Sequence, residues 1–418
     1  MRIAIIGGGI SGLTSAYLLY RNHEITLFEA ADWVGGNAHT VDVSSKGRNY
    51  AIDTGFTVFN DQASPNFTAL LDRLGVAYKP TEMSFSVKHP SSGLEYNDRN
   101  LNTLFAQRSN LFCLPFWIML RDILRFNKES LDDYDNKRIA SHVTLIEYLR
   151  LGGYGQRFID HYIVPMAAAI WALPRQQLLQ FPLEFFIRFL KSHGLLTVNR
   201  HPRWYSIEGG SSAYIDPLVR AFGTRIRLNC PVYEVLRDRV GVTVLSPQGA
   251  ERFDKVIFAC HSDQALRLID QPSRAEQQIL GAMRYVSSDV VLHTDTRLLP
   301  ARRSAWGSWN YRLGDSAEQP ATVTYDMSRL QGIDAPETFL ISLNQTEAID
   351  PARILGRYSY ARPHCDLDSL AAQKRAAELC GARHSYFCGA YWGTGLHGDG
   401  VVSAIRVAEA LRNHDQPL

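Results

Sequence analysis

The pattern of apolar and polar positions along the chain predicts short strands that alternate with helices. Residues 2–6, RIAII, form an apolar run rich in β-branched side chains, which is typical of a buried parallel strand. Small and apolar residues at 13–19 predict a helix, and residues 24–28, EITLF, predict the next strand. A strand, a helix and a second strand in this order indicate an α/β fold with a parallel sheet.

Strand patterns return later in the chain. We predict strands within residues 225–235, 241–244, 255–260, 290–293, 305–311, 322–326 and 386–389. A last apolar helix is predicted over residues 401–409. Among the later strands, Trp309, Asn310 and Tyr325 either point at a substrate or pack within the sheet.

Two aromatic-rich stretches, residues 111–126 and 181–190, predict helices whose basic residues interrupt an apolar face. Such a face suits three environments: the core of a domain, the wall of an apolar substrate tunnel, or a patch that lies on a membrane surface. The sequence leaves all three open.

Between the first strand and the first helix the sequence reads GGGISG, with glycines at Gly7, Gly9 and Gly12. In a dinucleotide fold the first glycine permits a tight turn, the second lets the backbone approach a pyrophosphate, and the third lets the helix pack closely on the strand. The start of the helix, here Ile10 and Ser11, directs unpaired N–H groups at the phosphates. This turn therefore predicts a dinucleotide site.

The second strand ends at Glu29, seventeen residues after Gly12. An acidic side chain at this place binds the ribose hydroxyls of an adenosine. Because the same carboxylate would repel a 2′-phosphate, the sequence favours NAD or FAD over NADP.

The residues that follow resemble the flavin amine oxidase superfamily, which includes monoamine and polyamine oxidases, phytoene desaturases and protoporphyrinogen oxidases. After Ala30 comes ADWVGGNAHT, with the superfamily's glycine pair at Gly35 and Gly36. Asn37 stands where the superfamily usually has arginine, and Thr40 matches its usual Ser or Thr. The resemblance implies that these five residues contact the flavin dinucleotide, with one charged contact to the pyrophosphate missing.

Two further segments carry the same resemblance. The stretch YAIDTGF resembles the segment that runs under the flavin, which implies contacts from Thr54, Gly55 and Phe56. Gly55 is also compatible with a plain turn. The resemblance places the backbone of Val232 near the adenine, although a core valine is the simpler interpretation of its side chain.

The C-terminal stretch resembles the superfamily's second glycine turn. A strand ends at Gly389, and LHGDG leads into the helix that is predicted from Val401. In the superfamily this turn directs a helix N-terminus at flavin N1 and the C2 carbonyl, where negative charge collects on reduction. It implies contacts from Gly389, Asp399, Gly400 and Val401. An NAD enzyme needs one such turn, whereas FAD is long enough to use both, so we predict FAD, held non-covalently.

These segments predict a Rossmann-type FAD-binding domain that is interleaved with an α+β substrate domain carrying a mixed sheet. We expect the FAD-binding domain to comprise residues 1–80, 205–270 and 380–418. We expect the substrate-binding domain to comprise residues 81–204 and 271–379.

Nearly the whole chain resembles a narrower family, the FAD-dependent oxidoreductases associated with cyclopropane fatty-acid synthase-like methyltransferases. The resemblance rests on YAIDTGFTVFN, WYSIEGGSSAYI and FCGAYWGTGLHGDG, although the family's usual HEDG reads HGDG here. It implies hydride transfer between flavin N5 and an apolar substrate, an unsaturated or methyl-branched fatty acyl chain, with a methyltransferase as partner. A flavin-binding accessory protein of that methyltransferase and a small-amine oxidase are the alternatives.

Three residues are candidates for the chemistry. His397 falls where monoamine oxidases place a cage tyrosine, so it either acts at the flavin ring or serves as a supporting residue hydrogen-bonded to the backbone. Tyr391 and Trp392 are candidate ring-face aromatics. Amine oxidases also use a lysine near flavin N5, and the corresponding residues 286–293 contain none, which argues against ordinary amine oxidation.

Composition narrows the remaining classes. The net charge is +2 and there is no long basic run, so we expect no nucleic-acid partner. The six cysteines are scattered without metal-ligand spacing, which predicts no metal site and a reduced compartment. The first apolar run is too short for a secretory signal, and none is long enough to span a membrane. We expect a cytoplasmic protein, with peripheral membrane contact left open.

Overall fold

The computed structural model describes residues 1–90, 92–171, 173–197, 203–314 and 322–415. The strands in these ranges are β1 (Arg2–Ile6), β2 (Glu24–Phe28), β3 (Thr40–Ser45), β4 (Arg48–Asp53), β5 (Val58–Asn60), β6 (Tyr78–Pro80), β7 (Phe85–His89), β8 (Leu94–Asn97), β9 (Trp204–Ile207), β10 (Ile226–Arg227), β11 (Glu234–Arg237), β12 (Val242–Ser246), β13 (Gly249–Phe253), β14 (Lys255–Phe258), β15 (Tyr285–His293), β16 (Trp309–Arg312), β17 (Thr322–Asp326), β18 (Leu340–Leu343), β19 (Ile354–Pro363) and β20 (Ser385–Phe387). The helices are α1 (Ile10–Leu19), α2 (Pro65–Leu74), α3 (Leu101–Leu104), α4 (Leu114–Asp135), α5 (Leu145–Leu151), α6 (Gln156–Phe158), α7 (Val164–Trp171), α8 (Arg175–Leu179), α9 (Leu183–Ser192), α10 (Ile215–Val219), α11 (Ser262–Leu268), α12 (Arg274–Gly281), α13 (Met327–Leu330), α14 (Leu367–Gln373) and α15 (His397–Asp415).

A five-stranded parallel sheet carries the first glycine turn. Its strand order is β10–β2–β1–β14–β20. Ile3 and Ile5 pack on one face with apolar residues of α1 and α15, while Ala4 packs on the other face against β11, β12, β13 and α12. Because all five strands are parallel, the loops that follow β1, β2, β14 and β20 meet at one edge, where ligands of such sheets bind.

A seven-stranded mixed sheet supplies the second part of the fold. Its order is β19–β15–β18–β17–β16–β7–β8, and only the β16–β7 pair is parallel. Helix α7 packs on β16 and β17, where the Tyr325 hydroxyl donates to the carbonyl of Ala169 over 3.0 Å. The mixed sheet and helices α4, α7 and α9 share the largest apolar core.

Two helices begin later than their apolar pattern indicates. Helix α4 begins at Leu114, after a 3₁₀ turn over Arg108–Phe112, and α9 begins at Leu183. Proline explains both starts, because Pro115 lies in the first turn of α4 and Pro182 directly precedes α9. A proline lacks the N–H that an inner turn needs, so helices accept it only at their start.

The structure gives the two aromatic-rich stretches different environments. In α9, Phe185, Phe186 and Phe189 are buried in the core. Helix α4 buries Phe116 and Phe126 but leaves its opposite apolar face exposed. Within the described ranges, no helix combines the length and the apolar composition that crossing a membrane requires.

Candidate active site

One cavity of about 1560 Å³ extends from the edge of the parallel sheet to the exposed face of α4. We call one part the dinucleotide end; it is lined by residues 6–11, 28–30, 35–37, 230–232 and 259–261. We call the other part the substrate end; it is lined mainly by side chains of β7, α3, α4, α7, β16 and β17. Sites for one small molecule usually measure roughly 300–1,000 Å³, so this cavity has room for a long cofactor and a second ligand.

In the first glycine turn, Gly9 leaves room for a ligand beside the backbone, and Gly12 lets α1 pack closely on the turn. A side chain at Gly9 would point into open space, with no atom within 4 Å of its Cβ. A Cβ at Gly12 would instead lie 1.9 Å from the Gly7 carbonyl oxygen, so only glycine fits there. Ile10 and Ser11 line the cavity, and their N–H groups are in the first turn of α1, where no helical acceptor exists. The turn therefore presents backbone donors and empty space to an anion.

Glu29 lies at the rim of the dinucleotide end with its carboxylate fixed by two backbone donors. Gly8 N–H donates to Oε2 over 2.6 Å, and Ala31 N–H donates to Oε1 over 2.8 Å. Each oxygen keeps capacity for a further donor, as the hydroxyls of a ribose would supply. Ala30 and Val232 line the cavity beside it.

The second glycine pair lies directly against the first turn. Gly35 N–H donates to the carbonyl of Gly8 over 2.8 Å, and a Cβ at Gly36 would lie 3.2 Å from Gly9 Cα. Both Gly35 and Gly36 have positive φ, at 125° and 58°, which favours glycine. Asn37 also lines the cavity, so residues 35–37 and the first glycine turn form one part of its wall.

Thr54, Gly55 and Phe56 all line the cavity, and packing within the protein explains the glycine at position 55. A Cβ at Gly55 would lie 2.3 Å from the Asn37 carbonyl oxygen, and Phe56 N–H donates to the same oxygen over 2.6 Å. Gly55 is therefore required by packing between two segments of the chain.

The C-terminal segment reaches the cavity through residues 389–391 and 394–397. Helix α15 begins at His397, four residues before the predicted start, so Gly398, Asp399 and Gly400 lie in its first turn. Asp399 does not line the cavity; its Oδ2 accepts hydrogen bonds from Thr394 N–H over 2.8 Å and from Leu396 N–H over 3.1 Å. Asp399 thus holds the loop that precedes the helix, and its cofactor contact stays a prediction.

Gly400 and Val401 also lie off the cavity, because the start of α15 packs on the start of α1. A Cβ at Gly400 would lie 2.8 Å from both Ile10 Cγ2 and Ser11 Oγ, and Val401 is buried. The two helix N-termini therefore stand side by side at one cavity, although they lie almost 390 residues apart in sequence. Gly389, which lines the cavity, donates its N–H to Ser403 Oγ over 3.0 Å and so ties the β20 loop to α15.

His397 lines the cavity and is fixed by two aromatic residues. Its ring stacks on Phe56 with centroids 3.9 Å apart, and its Nε2 lies 2.9 Å from the Tyr214 hydroxyl. Burial lowers the pKa of His397 to about 3, so the imidazole is neutral at physiological pH. A neutral imidazole with this pKa is a poor proton acceptor, which favours a hydrogen-bonding role over proton abstraction.

The two ring-face candidates differ in placement. Tyr391 lines the cavity and is almost fully buried, with its ring against Gly389, where a Cβ would lie 2.3 Å from Cε1. Trp392 lies off the cavity and donates its indole N–H to the carbonyl of Phe387 over 3.0 Å. Of the two candidates, Tyr391 is among the residues that line the cavity and Trp392 is not.

Asp53 is a buried carboxyl group on the cavity that the sequence analysis did not single out. The side chain is 1% exposed, and its Oδ1 accepts from Thr40 Oγ1 and from Ser211 N–H, each over 2.7 Å. Its Oδ2 has no hydrogen-bond partner within the described residues, and burial raises the pKa of Asp53 to about 6. Thr40, a predicted cofactor contact, is thus held by Asp53 and does not line the cavity. The stretch YAIDTGF contained the signal, an acid beside residues expected at the flavin.

Tyr360 was also missed, because it lies on β19, more than 300 residues from its partners in sequence. Its hydroxyl lies 2.7 Å from Thr54 Oγ1 and 2.9 Å from His39 Nδ1. Thr54 and Tyr360 both line the cavity. Only the tertiary fold brings this polar group together, and no local motif marks it.

The substrate end is largely apolar. Its lining side chains include Met83, Phe85, Leu104, Leu120, Ile123, Met166, Ile170, Trp171, Phe189, Trp309 and Tyr325. Asn310 is buried in the sheet, where its amide donates to the carbonyl of Gly307 over 2.6 Å, so it does not face a substrate. Among the described residues that line the cavity, none is a lysine.

No metal-binding site is found in the part of the chain that the structure describes. There, no group of three or more His, Cys, Asp or Glu side chains is arranged to hold a metal ion. All six cysteines have free thiols.

The sequence was compared with those of known protein families and of curated proteins. The profile of the family described as "Flavin containing amine oxidoreductase" matches residues 10–320. A curated relative, tryptophan 2-monooxygenase of Allorhizobium ampelinum, is 58% identical over 41 residues, which cover 9% of this chain and only 6% of that protein.

Three solved structures are similar over almost their full length. Putrescine oxidase bound to putrescine is 16% identical, with a TM-score of 0.69 and 99% of each chain covered. A CLA-producing fatty acid isomerase from P. acnes is 14% identical, with a TM-score of 0.69 and 99% of each chain covered. Cyclohexylamine oxidase from Brevibacterium oxydans IH-35A is 15% identical, with a TM-score of 0.66 and coverage of 98% of this chain and 99% of that one. At these identities the likeness establishes a shared fold.

Proposed function

The chain belongs to the family of flavin-containing amine oxidoreductases, and from this premise we propose that it transfers a hydride between FAD and an apolar fatty acyl chain. Membership of this family shows that the protein is an FAD-dependent oxidoreductase. The substrate class and the residues that serve it are the proposal. When bound, FAD supplies the hydride acceptor or donor at N5.

The dinucleotide end has the features that FAD needs. The open space at Gly9, with the N–H groups of Ile10 and Ser11, suits the pyrophosphate. Glu29 is fixed for the ribose hydroxyls, and the loop around Val232 suits the adenine. We propose that residues 389–391 and 394–397, beside the start of α15, supply the donors for the flavin ring.

The apolar lining of the substrate end is the observation that supports an acyl substrate. Side chains of α4, α7 and the mixed sheet make this part of the cavity wall largely apolar. A small diamine would need carboxylates to pair with its two cations, whereas on the outer lining the one carboxylate of Asp98 is accompanied by the guanidinium groups of Arg99 and Arg121. A lysine of the kind that amine oxidases place near N5 is also missing from the described lining.

In this proposal, Tyr360 and His397 position the reacting carbons of the acyl substrate. Tyr360 is oriented by Thr54 and His39, and His397 is oriented by Tyr214. Burial raises the pKa of Tyr360 and lowers the pKa of His39, so both are neutral at physiological pH. Neutral groups of this kind orient a substrate without attracting a charged one.

Anaerobic flavin spectroscopy tests the proposal. The oxidised protein is mixed with phospholipids and free fatty acids that carry saturated, unsaturated or methyl-branched chains, and with putrescine and cyclohexylamine. We expect an acyl substrate to bleach the visible flavin band or, in the opposite direction, to reoxidise the photoreduced protein. Reduction by the amines alone, with peroxide release in air, would establish a small-amine oxidase instead.

A methyltransferase partner is a further part of this proposal. If the chain only assists such an enzyme, a flavin-free Gly9→Val variant would still support the partner's product formation. We expect that variant to lose product formation, because the proposed role requires bound FAD.

A further inference from the structure

Seven of the sixteen large apolar side chains that are exposed in the described residues lie on or beside α3 and α4. We call this surface the α4 patch, and it comprises Leu101, Leu111, Phe112, Leu114, Trp117, Ile118 and Leu124. Phe112 is 92% exposed, Leu101 is 74% exposed and Leu114 is 70% exposed. Scattered exposed leucines are ordinary, but seven large apolar side chains within 24 residues mark an interaction surface.

Much of the α4 patch is one continuous side of helix α4. Leu114, Trp117 and Ile118 recur at the spacing of one side of α4, and Arg121 continues the same side one turn further. The opposite side, with Phe116 and Met119, is buried in the core. Since the fold already uses the buried side, the exposed side is available to something outside the chain.

Charge points to an anionic partner. Residues 98–126 contain four arginines, Arg99, Arg108, Arg121 and Arg125, against two aspartates. These 29 residues thus carry the same net charge, +2, as the whole chain. Arg99 pairs with Glu82 at 3.1 Å and Arg125 lies 3.9 Å from Glu129, two acids outside this stretch. Arg121 lies 3.2 Å from Asp122, which is only 1% exposed, and Arg108 donates to the neutral Asn102. Arg108 and Arg121 are therefore the guanidinium groups that the patch offers to an anionic surface. Apolar side chains with arginines around them are the composition of a face that lies in a membrane interface.

The cavity opens within this same surface. Three residues of the patch, Leu101, Trp117 and Leu124, also line the substrate end, as does the neighbouring Arg121. The Trp117 indole N–H donates to the carbonyl of Leu111 over 2.9 Å, which fixes its ring at the opening, and tryptophan favours the membrane–water interface. A protein partner seated here would close the opening, whereas a bilayer would supply its acyl chains directly.

We propose that the α4 patch docks on a bilayer containing anionic phospholipid, so that an acyl chain enters the cavity without crossing water. The inference extends the proposed function, because it names a lipid in the membrane as the source of the substrate. Docking itself does not depend on turnover. The two ideas can therefore fail separately.

Vesicle binding of the FAD-loaded protein tests docking. We expect co-sedimentation with vesicles of phosphatidylcholine and phosphatidylglycerol, and binding weaker by about tenfold or more to pure phosphatidylcholine or in high salt. The Phe112→Ser, Leu114→Ser double variant should bind on the order of a hundredfold more weakly, because both apolar insertions are lost. A control variant, Val240→Ser with Leu355→Ser, removes exposed apolar side chains elsewhere and should bind like the wild type.

Quenching of tryptophan emission by brominated phospholipid provides a readout on the unchanged protein, and we expect it in the anionic vesicles. Absence of vesicle binding, or equal binding by the Phe112→Ser, Leu114→Ser variant, would overturn the proposal. A concentration-dependent dimer that this variant makes monomeric, without any lipid binding, would overturn it in favour of a second copy of the chain. Intact docking without oxidation or reduction of any acyl chain would leave docking standing and refute the proposed function.

Discussion

Placing a side chain at Gly9 is the sharpest perturbation of the dinucleotide end. No atom lies within 4 Å of the Cβ position, and the backbone there is extended, with φ of −74° and ψ of −179°, which suits a β-branched residue. The Gly9→Val variant should therefore fold like the wild type. Its methyl groups would occupy the space that we assign to the pyrophosphate.

The expected loss follows from the donors at the start of α1. Displacing the phosphates from Ile10 and Ser11 removes two hydrogen bonds to a charged group, each contributing about 1.5–3 kcal/mol. The sum is roughly 3–6 kcal/mol, so the Kd for FAD should rise by about two to four powers of ten. For the same reason, added FAD should raise the Tm of the variant much less than that of the wild type.

Titration of the flavin-free proteins with FAD, followed by flavin fluorescence and thermal unfolding, measures both quantities. Gly223→Val is the matched control, since Gly223 also has open space at its Cβ but lies away from the cavity. Gly12→Ala provides the contrast: its Cβ would overlap the Gly7 carbonyl, so this variant should be less stable even without FAD. Wild-type FAD affinity in Gly9→Val would refute the assignment of the pyrophosphate site.

Three further predictions concern individual side chains. Burial raises the pKa of Asp53 from 3.8 to about 6, which penalises its charged form in the fold. The flavin-free protein should therefore lose stability as the pH rises between these values. In urea unfolding, the free energy of unfolding of Asp53→Asn should exceed that of the wild type by roughly 3 kcal/mol above about pH 7 and by little near about pH 3. A difference that does not vary with pH would contradict this. Glu29→Ala should raise the Kd for FAD by about 10- to 100-fold through lost ribose contacts, whereas Asp32→Ala, an exposed acid off the cavity, should not change the Kd in the same titration. Because the pKa of His397 is lowered to about 3, His397→Asn should keep every limb of the pH–rate profile between about pH 5 and 9; loss of a limb would show that His397 titrates in catalysis.

The first glycine turn could be predicted because its determinants are local. Gly7, Gly9, Gly12 and Glu29 lie on consecutive elements whose order dictates where their backbone and side chains meet. The fold class followed from the same order of elements, together with the strand patterns that form the mixed sheet, and the family and the similar structures confirm it.

The second turn could be predicted only in outline. Its glycines indicated a turn, yet Gly398 and Gly400 are glycines because α15 packs on Ser64 and on the start of α1. These contacts join segments more than 300 residues apart, and a pattern along the chain does not contain them. The same holds for Tyr360. Asp53 does stand in a motif that the sequence shows, but its burial depends on Ser211, which lies 158 residues away.

Hydrogen exchange of the flavin-free and FAD-loaded proteins tests most directly whether both ends of the chain grip one cofactor. If they do, FAD should slow exchange in peptides covering residues 7–12 and in peptides covering residues 389–397, to a similar extent and at the same FAD concentration. Protection confined to the first peptide, with the C-terminal segment unchanged, would mean that the chain binds a dinucleotide with one turn only and would contradict the account.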